Sequence, residues 1–178
     1  VPPIFIKRCG AALAFPLYVI YNRSLLSGKF PTIWKRARVV PIHKKGDKNN
    51  VANYRPITIL SVFSKLFESL VCPLITNHIE YNLYDDQHGF RKDRSTETNL
   101  LSFTSHLSRE IDAGSQVDVV YTDFTSAFDK VSHALLIAKL EACGIFGPLL
   151  AWFTSYLEGR TQLVSINGCD SKMYNASS

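Results

Sequence analysis

Val119-Val120-Tyr121-Thr122-Asp123-Phe124-Thr125-Ser126-Ala127-Phe128-Asp129-Lys130-Val131 is the stretch whose reading decides the architecture of this 178-residue chain. Val117 to Tyr121 is nearly apolar apart from Asp118 and predicts a short strand that delivers Thr122 and Asp123 at its carboxyl end. A carboxylate in that place is fixed by a rigid element and open to solvent, as a metal ligand must be. An aspartate at a strand end also serves as a helix N-cap or turn residue, and spacing alone leaves both readings standing.

Working outward, Ala11 to Leu26 predicts a helix that starts or kinks near Pro16 and ends at Gly28. Ala37 to Ile42 is rich in β-branched residues and predicts a strand, with Pro41 suggesting an edge position because it cannot donate to a ladder. His43-Lys44-Lys45-Gly46-Asp47 then predicts a hairpin turn with its charges at the tip. From Val62 to Ile79, apolar residues recur at three and four residue intervals, as an amphipathic helix requires. Leu100, Phe103, Leu107 and Ile111 mark another helix, ending near Gly114. Helices are expected at Leu135 to Cys143 and Pro148 to Glu158, and Asn167-Gly168 predicts a hairpin after Thr161 to Ile166. Mixed helices and strands with hairpins predict an α+β fold rather than a doubly wound parallel sheet.

With 46% hydrophobic and 12% aromatic residues the chain can bury a core, which excludes disorder for most of it. The longest strongly apolar stretch, Ala11 to Ile20, is interrupted by Pro16 and falls short of the ~20 residues that cross a bilayer. No membrane partner is expected on that reading. Val1 in place of Met, and the polar run at Ser178, suggest that neither end is a natural terminus. Cys9, Cys72, Cys143 and Cys169 are widely spaced with no Cys-x-x-Cys, which argues against zinc and for reduced thiols in an intracellular protein. The net charge of +5 is local: between Lys29 and Lys48 seven cations face a single Asp47. Such a patch suits a polyanion, although solvated basic loops look the same by charge alone.

The string Asp123-Phe-Thr-Ser-Ala-Phe-Asp-Lys-Val-Ser-His does not stand alone. Asn53-Tyr54-Arg55-Pro56-Ile57 and Gly89-Phe90-Arg91 precede it, and Gly144-Ile145 and Trp152-Phe153-Thr154-Ser155-Tyr156-Leu157 follow. Together with Phe30-Pro31-x-x-Trp34-Lys35 and Arg160-x-Gln162, this order resembles the reverse transcriptases of non-LTR retrotransposons of the LINE and Jockey type. The resemblance implies the fingers and partial palm of a right-hand polymerase, truncated before the second catalytic motif. Residues 1–115 would be the fingers-like region and 116–178 the first part of the palm.

It further implies two Mg²⁺ ions in the complete enzyme, which Mn²⁺ could replace, held in part by Asp123 and the backbone carbonyl of Phe124. Phe128 matches the aromatic position that blocks a ribose 2′-hydroxyl and so selects deoxynucleotides, although core packing would use the same residue. Lys44 or Lys45, with Arg55, matches positions that grip the triphosphate, and Arg91 and Arg94 match template-side phosphate contacts. Asp129 reads as a structural hydrogen-bonding residue. The implied partners are an RNA template, a DNA primer, deoxynucleoside triphosphates and the remainder of the same polypeptide, in the nucleus and/or cytoplasm.

The family's Gly-x-Pro-Gln-Gly and Tyr-x-Asp-Asp motifs are absent from these residues, and Tyr84-Asp85-Asp86 lacks the intervening residue and precedes Asp123. One carboxylate is a poor site for two cations, so the chain alone is expected to be inactive. A non-catalytic nucleic-acid-binding remnant and a purely structural module are the competing readings.

Overall fold

The computed structural model describes residues 2–176. The chain divides into two compact units, one made of the residues up to Ile75 and from Ala127 onward, the other of Thr76–Ser126.

The first unit opens with α1 (Pro3–Ser27), whose initial proline sacrifices an N–H that would be unpaired anyway. The helix continues through Pro16 instead of starting there, so it is 25 residues long. By length and composition it could cross a membrane, which corrects the expectation drawn from Ala11 to Ile20. The same helix carries Lys7, Arg8 and Arg23 and buries Leu17, Tyr21 and Ser24 in the core. It ends where expected: Gly28, at φ +64°, donates to the Leu25 carbonyl at 3.1 Å, and Lys29 N–H reaches the Ser24 carbonyl at 3.1 Å. This left-handed cap returns two orphan carbonyls to hydrogen bonding. A Cβ on residue 28 would lie 2.9 Å from Ala151 Cβ and 3.1 Å from the Pro148 carbonyl. Gly28→Ala should therefore lower stability by about 2–3 kcal/mol, combining left-handed strain with that clash. A urea midpoint that falls at unchanged m-value would show it.

β1 (Arg36–His43) pairs antiparallel with β2 (Tyr54–Ile59) and parallel with β3 (Thr161–Ile166), which also carries β4 (Cys169–Asp170) and β5 (Tyr174–Asn175). The β1–β3 ladder spans only Arg36 to Val39, so Pro41 lies beyond it. Pro41 stands opposite Pro56 on β2. Lys44 N–H donates to the Asn53 carbonyl at 2.8 Å, and counting back two residues at a time makes the proline pair one that exchanges no ladder bonds. Each missing N–H thus falls on the outward side, and the sheet loses nothing. The edge expected from Pro41 is local, because the strand that holds it is central. Asn167 and Gly168, at φ 50° and 83°, turn the chain between β3 and β4 as their sequence predicts.

α2 (Val62–Ile79), α4 (His133–Ala142) and α5 (Gly147–Leu157) lie within two residues of their expected bounds. The core gathers Leu17 and Tyr21 from α1, Phe30 and Trp34 around a 3-10 turn, Phe67 and Val71 from α2, and Trp152 from α5. Tyr21 stacks on Phe67 at 4.2 Å, and its hydroxyl donates to the Phe63 carbonyl at 2.9 Å. Burial raises the Tyr21 phenol above its ordinary pKa. Trp152 Nε1 donates to Ser24 Oγ at 3.0 Å, which donates to the Lys29 carbonyl at 2.6 Å, so each polar atom carried into this aromatic core keeps a partner.

The second unit contains α3 (Thr96–Asp112), started by a reciprocal capping box between Ser95 and Thr98. Val117 to Tyr121, expected as a strand, is irregular instead. A strand exists only through a neighbour, and none pairs with it among the described residues. Val120 and Tyr121 are more than four-fifths exposed, the Tyr121 ring meeting that of Phe103 edge-on at 6.2 Å. The mixture of helices and an antiparallel-rich sheet is α+β, as expected.

Candidate functional site

The basic run divides between a strand face and a loop. Alternation along β1 sends Arg36, Arg38 and Ile42 to one side, where Arg55 of β2 stands opposite Ile42, while Val39 is buried on the other. His43–Asp47 is not a tight turn: ten residues, 44–53, connect β1 and β2. Asp47 organises them. Its Oδ1 accepts from Asn49 N–H at 2.9 Å, and its carbonyl accepts from Asn53 Nδ2 at 2.8 Å. Tyr54 OH donates to the Lys48 carbonyl at 2.9 Å, and His43 Nε2 contacts the Gly46 carbonyl at 3.0 Å. A side chain at Gly46, already at φ +83°, would meet Asn53 Nδ2 at 2.7 Å. The connection is thus a built loop whose bonds tie down the backbone and leave Lys44, Lys45 and Lys48 exposed. Lys44 extends the ladder by one bond, whereas Lys45 lies past it.

In the second unit, Arg91 has a half-sequestered role that sequence did not reveal. Its side chain is 9% exposed; Nη2 and Nε meet Glu80 Oε1 at 2.7 and 3.1 Å, and Nη1 donates to the Tyr84 carbonyl at 2.7 Å. Phe90 and Asp93 flank it at φ 59° and 58°, left-handed conformations that cost about 1–2 kcal/mol apiece. Arg91 clamps this strained loop, so its donors are committed within the chain. Arg94 is more available: among the described residues its ion pair is a long one, to Asp85 Oδ1 at 3.8 Å. Tyr84-Asp85-Asp86 accordingly belongs to this loop, Asp85 lying near both arginines.

Asp123 and Phe124 lie at the end of the irregular segment, both exposed. Just beyond, Ser126 takes a left-handed φ of 55°. Phe128, 80% exposed, begins the short 3-10 turn Phe128–Lys130, and Asp129 on that turn is exposed too. A carboxylate and a backbone carbonyl are hard oxygen donors of the kind Mg²⁺ prefers. Among the described residues no three His, Cys, Asp or Glu side chains converge, so these donors fit part of a ligand set.

A further cluster escaped the sequence reading because its members are 120 and more positions apart. Lys35 Nζ donates to Ser155 Oγ at 3.4 Å. Burial lowers the Lys35 pKa; Glu158 opposes that shift and Arg160 adds to it. The sequence signal is that Lys35, Ser155 and Arg160 each sit in a quoted motif, with nothing to say that the motifs meet.

A family model described as reverse transcriptase (RNA-dependent DNA polymerase) matches residues 42–177. Among curated relatives, the probable RNA-directed DNA polymerase from transposon BS of Drosophila melanogaster is 35% identical over 84% of the chain. The RNA-directed DNA polymerase from mobile element jockey, also of Drosophila melanogaster, is 31% identical over 91%. A retrovirus-related Pol polyprotein from type-1 retrotransposable element R2 of Popillia japonica is 30% identical over 80%. The chain spans 17%, 18% and 20% of these relatives' own lengths, respectively. The order of motifs around Asp123, the α+β fold and this matched span agree: the chain belongs to the reverse transcriptase family, among those of non-LTR retrotransposons, and covers part of that domain.

Proposed function

We propose that this chain forms the fingers (residues 1–115) and the opening of the palm (116–178) of a polymerase that adds deoxynucleotides to a primer during retrotransposition. Reverse transcriptases generally use divalent metals and bind an RNA template and a primer. The observation that carries the finer reading is the placement of Asp123 and Phe124, both exposed residues immediately before the left-handed backbone at Ser126. Backbone strain of this kind is concentrated at functional sites.

Asp123 and the Phe124 carbonyl would hold Mg²⁺, with the remaining ligands supplied by the rest of the polypeptide. Two such ions, when bound, supply charge neutralisation at the attacking and leaving oxygens of an in-line phosphoryl transfer. Lys44 and Arg55 would receive the triphosphate of the incoming deoxynucleotide. Arg offers it a fork of donors and Lys a point charge, both on a loop-and-strand frame that is already hydrogen-bonded. Lys44 is preferred to Lys45 because the ladder fixes its backbone. Arg94 would touch the template-side phosphates together with whatever contact Arg91 can spare from its clamp. The cysteines, none of them in a disulfide, suit an intracellular site, nucleus or cytoplasm.

The test is primer extension on an RNA template by the full polypeptide, with deoxynucleotides in the presence of Mg²⁺. In the same assay Phe128→Ala should raise ribonucleotide incorporation relative to deoxynucleotide by about 10–100-fold, the range a steric pocket contact commands. An unchanged ratio would return Phe128 to a packing role. The competitor is a remnant that only binds nucleic acid, a role that the seven cations between Lys29 and Lys48 also suit. It predicts salt-dependent binding with no divalent requirement and no extension.

A further inference from the structure

Within the first unit, where the end of α1 meets α5, lies an open cavity of about 540 Å³ lined by Lys29, Thr32, Lys35, Thr154, Ser155 and Glu158 among others. Its hydrogen-bond inventory is unbalanced. Ser155 Oγ accepts from Phe30 N–H at 3.0 Å and from Lys35 Nζ at 3.4 Å, so both lone pairs are used and its own proton must be donated. No acceptor for that proton is found among the described residues. Lys35 retains two N–H groups, and among the described residues no carboxylate lies within 4 Å of its ammonium. Thr154 spends its proton on the Leu150 carbonyl at 3.1 Å. Lys29 adds a second cation to the lining. Arg160, held over the Tyr156 ring at 4.8 Å and bonded to the Tyr156 carbonyl, adds positive potential from outside the lining. Glu158 is the carboxylate of the lining, and outside it Glu68 faces Arg160 across the Tyr156 hydroxyl, leaving Lys29 and Lys35 against Glu158 in the cavity itself.

A cavity with surplus donors and surplus positive charge calls for a ligand rich in acceptors. We propose that it is an oxyanion site taking a phosphate group, free or carried on a nucleic-acid strand, with Lys35 and Ser155 as its donors. The volume is within the range of small-molecule sites and admits a phosphate that remains attached to a sugar. An anion there supplies the missing acceptors, and its charge offsets the cost that burial imposes on the Lys35 ammonium. The site does not depend on the metal-binding reading of Asp123, since it shares no residue with it.

The experiment titrates the 178-residue chain with inorganic phosphate at constant ionic strength and follows the lysine Cε resonances by NMR, with Lys35 assigned from its absence in Lys35→Gln. The Lys35 signal should move saturably, and more than those of Lys44 and Lys45. Glu158→Gln should tighten the apparent affinity roughly threefold by removing one repelling charge, a gain that misfolding cannot imitate. A short single-stranded RNA that competes with phosphate identifies a backbone site, and one that does not identifies a site for free anion; either is a phosphate site. A Lys35 signal that moves only as the other lysines do, or an affinity indifferent to Glu158→Gln, would overturn the proposal.

Discussion

Asp123→Asn, placed in the full polypeptide, should lower RNA-templated primer extension by about a thousandfold. The amide keeps the size and one acceptor oxygen of the carboxylate but removes its charge. Metal-assisted charge stabilisation is worth several kcal/mol, and each ~1.4 kcal/mol is a factor of ten in rate. The loss should appear in the rate of the first nucleotide addition, because Asp123 is exposed and its carboxylate makes no hydrogen bond or ion pair among the described residues. Thermal stability should accordingly change by less than about 0.5 kcal/mol, as at other exposed surface positions. Template affinity at low Mg²⁺ should also be retained.

Trp152→Ala should cost about 3–5 kcal/mol, the largest stability loss expected in the chain. The indole is 2% exposed and meets Phe30, Phe67, Phe153 and Tyr156 at ring separations of 5.1 to 5.7 Å. Its truncation opens a void among rigid rings that cannot collapse onto it, and it strips Ser24 of a donor. For a domain of this size the loss amounts to a fall of roughly 6–20 °C in Tm, readable by circular dichroism. Trp152→Phe keeps an aromatic ring but loses the N–H and part of the indole's volume, so a smaller loss of about 2–3 kcal/mol is expected. Equal losses in the two variants would mean that the hydrogen bond, not the packing, carries the site.

The helices were legible because their signals are local. Gly28 stops α1 through its own backbone freedom, and the spacing of Val62, Phe63, Leu66, Phe67 and Leu70 needs no distant partner to be read. Asn167-Gly168 was legible for the same reason. Non-local choices were not. Pro41 pointed to an edge, yet it sits in a central strand because its empty N–H side falls past the end of the β3 ladder. Val117 to Tyr121 has strand composition but no partner among the described residues, and composition cannot supply one. At the candidate site, the motif order placed Asp123, Phe124 and Phe128 in sequence, and the structure adds the left-handed Ser126 between them. Arg91 looked like a free cation by charge, but only the fold could bring Glu80 to it. Lys35 and Ser155 meet across 120 positions, which no local pattern anticipates.

The central claim is that Asp123 belongs to the metal-binding site of an RNA-directed DNA polymerase. Its most direct test is addition of a single deoxynucleotide to a primer annealed on RNA, comparing the full wild-type polypeptide with Asp123→Asn at equal template occupancy and graded Mg²⁺. Extension that requires Mg²⁺ in the wild type and is lost in the variant is the predicted result. Wild-type binding without extension, or extension that survives Asp123→Asn, would contradict it.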